Sequence, residues 1–175
     1  MKFFVFLLIW SLGLVAAPAI AQSDNSDMTA EVLGVYFTPP GHAAAAIIKA
    51  IDASEREVLV QAYGFTHNGI AQALVRAHPR GVKVRVLMDQ KSQTSNRYVI
   101  HVLADVDIAM RQDGKHAIAH NKVMVIDQAV VITGSFNFTN SAETRNAENV
   151  LILKSPDLAL QYRLQWQNHW AHAAQ

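Results

Sequence analysis

The run His120-Asn121-Lys122-Val123-Met124-Val125-Ile126-Asp127, followed by Gly134-Ser135-Phe136-Asn137, sets polar groups into an otherwise apolar stretch. Residues two apart on an extended strand share a face, so His120 and Lys122 project together, about 7 Å apart. Both can address one cluster of substrate atoms. A phosphodiester calls for a nucleophile at phosphorus, positive charge against its nonbridging oxygens and a proton for the departing oxygen. His120 suits the first task and Lys122 the second. Ser135 and Asn137 supply a hydroxyl and an amide as further donors to phosphate, just ahead of a predicted helix start. Glu148 opens the next apolar run and could accept a hydrogen bond from the imidazole, fixing its tautomer. Asp127 has the opposite parity to His120 and lies between two apolar runs, which by itself reads as a turn residue.

Several elements must hold these residues. Val32 to Phe37 reads as a strand closed by Pro39, Pro40 and Gly41, and Ala43 to Ala53 as a helix with Ile47, Ile48 and Ile51 on one side. Val58 to Tyr63 is a buried strand. Asn68 caps a helix running through His78, and Val82 to Met88 is another apolar strand. That alternation predicts crossover units. A helix over Ser95 to Leu103, a short strand over Ile108 to Arg111 and a loop containing Gly114 follow. Asn121 to Ile126 and Val130 to Thr133 make a hairpin about Asp127-Gln128-Ala129, and Glu148 to Leu153 one more strand. Ser155-Pro156-Asp157 then caps a final helix whose Leu158, Tyr162, Trp166 and Trp170 face the core. The expected fold is α/β: one domain with a mixed, mostly parallel sheet flanked by helices.

Lys2, the apolar run Phe3 to Val15 and Ala19-Ile20-Ala21 form the pattern of a secretory signal peptide cleaved after Ala21. The expected organisation is a signal at 1–21, a polar linker at 22–30 and a catalytic domain at 31–175, placed in the periplasm or secreted. No later apolar stretch is long enough for a stable membrane insertion. Cysteine is absent, which excludes disulfides and thiolate chemistry. Without Lys2 the basic and acidic residues balance at 14 each. Residues 76–122 nevertheless hold nine basic residues against four acidic ones, which could be a solvated face or a track for phosphates.

His-x-Lys, four further residues and Asp, then Gly-Ser-x-Asn, resembles the signature of the phospholipase D superfamily. The length, the export signal and the Glu148 spacing make the chain similar to the small bacterial Nuc-type endonucleases. The resemblance implies that His120 forms a covalent phosphohistidine, that Lys122, Ser135 and Asn137 bind the phosphate, and that Glu148 orients the histidine. It also puts Asp127 in the polar network of the site. It further implies two such histidines, one attacking phosphorus and one protonating the leaving oxygen. This chain contains one His-x-Lys, so the second must come from another copy, in a homodimer with the site on its two-fold axis. The substrate expected is nucleic acid. A phospholipid cleaved by the same histidines, and a noncatalytic polyanion-binding module, are the alternatives.

His116 and His120, four apart, with His67 or His42 as a third donor, are the candidate metal ligands. They straddle a loop and a strand and no carboxylate cluster accompanies them in sequence, so a metal-free site without cofactor is expected. Phe136 and Phe138 could stack on bases but alternate with polar neighbours, which favours anchoring in the core.

Overall fold

The computed structural model describes residues 28–174. The expected signal peptide and most of the expected linker lie outside the described residues. Seven strands form one sheet: β1 (Glu31–Thr38), β2 (Glu57–Ala62), β3 (Lys83–Asp89), β4 (Ala109–Asp113), β5 (Lys122–Ile126), β6 (Val130–Gly134) and β7 (Glu148–Lys154). The helices are α1 (Ala43–Asp52), α2 (Asn68–Ala77), α3 (Gln93–Ala104), the short α4 (Asn140–Thr144) and α5 (Pro156–His172).

Strand order is β1-β7-β6-β5-β2-β3-β4. Only β2 with β3 and β3 with β4 pair in parallel; the other four neighbouring pairs are antiparallel. The sheet is mixed, but the expectation of a mostly parallel one is corrected. The cause is the placement of β1. It runs in the same direction as β2, as a crossover through α1 requires, yet β5, β6 and β7 occupy the positions between them. Local apolar patterning gives each strand and its direction of crossover, whereas the insertion of a later hairpin into the middle of the sheet leaves no local trace.

Two apolar layers cover the sheet. On one face α1, α2 and α3 enclose Ile47, Ile51, Val58, Val60, Ile70, Leu74, Val86 and Met124, all fully buried. On the other, α5 lays Trp166, Leu158, Tyr162 and Trp170 over Leu59, Leu87, Val125 and Val131. Strands β2 and β5 are buried along their whole length, which explains their near-continuous apolar composition. Each such side chain contributes about 1.5–3 kcal/mol. Ser155 caps α5 through the Leu158 amide, with Pro156 in the first turn, and the Trp166 indole donates to the Val60 carbonyl at 2.9 Å. Helix α2 begins as expected, but His67 is its cap: Nδ1 accepts from the Ile70 amide at 3.3 Å.

Parallel pairing of β2, β3 and β4, and antiparallel pairing of β2 with β5, bring Ala62, Asp89, Asp113 and Lys122 to one end of the sheet. Asp127 and the start of β2 lie at the opposite end.

Candidate active site

Lys122 is the first residue of β5 and pairs with Ala62, the last of β2. The pairing continues outward, where the Tyr63 amide donates to the Asn121 carbonyl at 3.1 Å. His120 therefore emerges just beyond the ladder and is exposed, its ring edge-on to Tyr63 with centroids 4.7 Å apart. The Lys122 ammonium donates to the His120 carbonyl at 2.6 Å and lies 5.5 Å from the Tyr63 ring centroid. Tyr63 thus packs against both residues, a role that apolar patterning alone did not single out. Its own backbone is held by a fully buried Asn96, whose amide donates to the Tyr63 carbonyl and accepts from the Phe65 amide, both at 2.8 Å.

Lys122 is only 8% exposed. Burial pulls its pKa below the usual lysine value, and the charge of Glu148 opposes that shift. Glu148 begins β7, at the same end of the sheet. Its carboxylate accepts from the Ser135 hydroxyl at 2.6 Å and from the Asn146 amide at 3.1 Å. Ser135 accepts in turn from the Asn149 amide nitrogen at 3.1 Å. The hydrogen bonds that describe Glu148 join it to the Ser135 side, and its expected bond to the His120 imidazole is not among them. The carboxylate acts on the lysine by charge and on the serine by contact.

Gly134 precedes Ser135 for a steric reason: a Cβ there would lie 2.2 Å from the Asn149 carbonyl oxygen. Asn137 reaches across to the β2 side, its Oδ1 accepting from the Gly64 amide at 3.4 Å. Phe136 and Phe138 are buried, and Phe138 packs edge-on to Phe65 at 5.8 Å, so they anchor the loop. His120, Lys122 and Asn137 thus meet the Tyr63–Gly64 segment, and Ser135 with Glu148 forms a bonded pair at the same end of the sheet, its charge felt by Lys122. An imidazole, a buried ammonium, a hydroxyl and an amide at one end of the sheet are the kinds of group that a phosphodiester calls for.

Asp127 does not join it. It lies at the far end of β5, about 17 Å away by strand rise, in a turn where Asp127 and Gln128 both have positive φ. Its carboxylate accepts from the amides of Glu55, Arg56 and Glu57 at 2.9, 2.7 and 2.9 Å. The expectation that Asp127 belongs to the polar network of the site is corrected by this position; opposite parity and a turn location, both legible in sequence, pointed this way. His116 also turns elsewhere, towards Asp113 at 2.9 Å, and forms no pair with His120.

The basic stretch divides as well. Arg76 pairs with Asp52, Arg80 donates to the carbonyls of Ile51 and Ser54, Arg85 lies over Trp166, and Arg111 over Trp170. Those four serve the architecture. Lys91, Arg97 and Lys115 are exposed, Lys91 just past the end of β3, Lys115 just past the end of β4 and Arg97 beside Asn96, all at the site end.

A family model described as cardiolipin synthase, PLD-like domain, matches residues 47–170. A phospholipase D of Rickettsia felis is 40% identical over 156 residues, which is 89% of this chain and 78% of that protein. Among solved structures, Nuc from Salmonella typhimurium, a phospholipase D family member, aligns with a TM-score of 0.79 at 35% identity, covering 83% of this chain and 97% of that one. NucT from Helicobacter pylori shares the fold, with a TM-score of 0.72 at 22% identity over 83% of this chain and 99% of that one. With the motif residues gathered at one end of the shared sheet, the chain belongs to the phospholipase D superfamily and is a phosphodiesterase of that class.

Proposed function

We propose that this phosphodiesterase is an exported, sequence-nonspecific endonuclease that cleaves DNA, with RNA as a second substrate, without metal in the catalytic step. The observation that carries the reading is the gathering of His120, Lys122, Ser135, Asn137 and Glu148 at the end of the sheet that also carries three exposed cations, Lys91, Arg97 and Lys115. Such a surface addresses phosphates and not base edges, so discrimination between sequences is low and activity falls as salt rises.

The reaction uses two copies of His120. One attacks phosphorus and forms a phosphohistidine, while the partner's His120, protonated, gives its proton to the departing oxygen. The same partner imidazole then takes a proton from water, and the hydroxide displaces the histidine from phosphorus. Lys122 and the Ser135 and Asn137 donors bear the charge on the nonbridging oxygens.

A dimer has a surface to use beside the site. Val35 and Phe37 of β1 are 50% and 67% exposed and pair with Leu151 and Asn149, next to Glu148. This apolar strip at the edge of the sheet fits a second copy of the chain, whose symmetric docking would bring two sites together. Phe37→Glu should turn a sedimenting dimer into a monomer and reduce nicking by roughly tenfold or more. A fully active monomer would remove the two-chain site.

The deciding experiment is plasmid nicking by the mature protein in excess EDTA, at a temperature where circular dichroism shows it folded, beside His120→Ala. Nicking that survives chelation and disappears in the variant is expected. The name of the rickettsial relative favours a second reading, phospholipid hydrolysis. Headgroup release from phosphatidylcholine vesicles, with no nicking by a folded dimer, would put it first.

A further inference from the structure

A second group of titratable side chains sits at the same end of the sheet and takes no part in the chemistry above. Asp113 ends β4 and is fully buried; His116 follows in the loop, and His169 and His172 lie three apart on one face of the last turns of α5. The Asp113 carboxylate is met by His169 Nδ1 at 2.7 Å, His116 Nδ1 at 2.9 Å and His172 Nε2 at 3.4 Å. One ligand atom from each of the four falls within 4.8 Å of all the others. The imidazoles gather around the carboxylate, His116 and His169 stacked with centroids 4.6 Å apart and His172 tilted to them at 5.4 and 5.3 Å.

We propose that Asp113, His116, His169 and His172 bind one divalent cation of the zinc class, in a closed structural site that fastens α5 to the loop leading into His120. Three imidazole nitrogens and one carboxylate oxygen are a zinc donor set. A tetrahedral ion at ordinary bond lengths has ligand atoms about 3.3 Å apart. The three nitrogen-to-carboxylate separations, 2.7, 2.9 and 3.4 Å, already surround that value. The largest separation in the set needs to close by only about 1.5 Å, within the reach of small imidazole rotations.

The surroundings suit ligation. The Asp113 side chain is fully buried, and the three imidazoles converge on it. The Lys115 amide holds one carboxylate oxygen at 3.0 Å. On the outer side of the ring, His169 Nε2 lies 3.0 Å from the Gln165 side-chain nitrogen; ligation through Nδ1 leaves the proton on Nε2, so the Gln165 amide turns its oxygen to accept it when the ion binds. His116 is 43% exposed and gives the ion a way in.

The site lies three strands across from β5 in the sheet order, about 14 Å from the Lys122 strand by the usual interstrand spacing. The loop from Gly114 to Asn121 joins the two. Gln61 Nε2 spans the two, 3.2 Å from His169 Nδ1 and 3.2 Å from Asn121 Oδ1; the first contact gives way when Nδ1 takes the ion, and the second holds the loop. The ion would therefore cross-link a chain that has no cysteine, at the place where its C-terminal helix meets the loop that delivers the nucleophile.

The test uses the tag-free mature protein, stripped with chelator and dialysed, then titrated with zinc chloride. One zinc per chain by mass spectrometry and a rise of roughly 5–15 °C in melting temperature are expected. Cobalt(II) should give visible d–d bands of tetrahedral intensity. His116→Ala, in the exposed loop, and His172→Ala should each lose the retained metal, the thermal shift and the cobalt bands, while His120→Ala keeps all three. A folded parent that retains no metal and melts alike with and without zinc overturns the proposal and leaves a hydrogen-bonded histidine–carboxylate cluster. So does a shift that persists unchanged in both ligand variants. Neither result bears on catalysis, which His120→Ala reads separately.

Discussion

The two ends of β5 carry parts of one sequence motif and do different work with them. At the outer end His120 stands exposed against Tyr63, and Lys122 sends a buried stem to an ammonium resting on the His120 carbonyl. At the other end the Asp127 carboxylate is taken up by three backbone amides, and Arg56 donates to its carbonyl at 2.6 Å. The first end, in the function proposed, presents groups to a substrate. The second ties the β5–β6 turn to the start of β2 and so holds the register that places Lys122 opposite Ala62. Residues of one motif need not share a site: a strand can transmit position along its length, so an anchor at one end serves the group at the other.

The strongest way to break this contrast is to remove one residue from each end. His120→Ala should cut turnover by at least about 10³-fold, because both nucleophile and acid are lost. Its melting temperature should hardly move, since the ring is exposed. Asp127→Ala should do the reverse. Losing three charge-assisted hydrogen bonds from a partly exposed turn costs about 1–3 kcal/mol of stability. Turnover per folded molecule, measured well below the melting range, should stay within about twofold of the parent. A folded Asp127→Ala protein without activity would place the aspartate back in the chemistry.

Sequence alone made the outer end readable, because His120, Lys122, Ser135 and Asn137 interrupt apolar runs where the core has no use for them. The strands themselves were readable for a related reason: the middles of β2, β3 and β5 are mostly apolar because both faces of the sheet are covered there. Three things were not. The order of strands depends on β1 travelling to the far edge, a choice made by the whole sheet and not by the composition of β1. The basic stretch of residues 76–122 looked like one feature, yet Arg85 and Arg111 are spent on tryptophans of α5 that are distant in sequence. For the same reason His116 suggested a pairing with its neighbour His120, whereas its partners His169 and His172 arrive from the other end of the chain. Chemistry inside one element shows in the local sequence; chemistry assembled by two elements meeting does not.

The smallest effect expected sharpens the outer end. Lys122 holds phosphate only while protonated, so the clamp fails as pH rises through its pKa. Burial sets that pKa below the usual lysine range, and Glu148 pulls it back up. Glu148→Gln keeps an acceptor for Ser135 but removes the charge, so the lysine should lose its proton at a lower pH and the alkaline limb of the pH–rate profile should move down. The sign for stability follows from the same shift. A lysine that holds its proton less tightly when folded than when unfolded disfavours the folded state at pH values where it is charged, and the penalty fades as pH rises. Glu148→Gln deepens the penalty, so the variant should be slightly less stable than the parent at neutral pH and approach it under alkaline conditions. An alkaline limb that stays in place would mean that Glu148 serves the site only through Ser135, and that the charge on Lys122 is governed by burial alone.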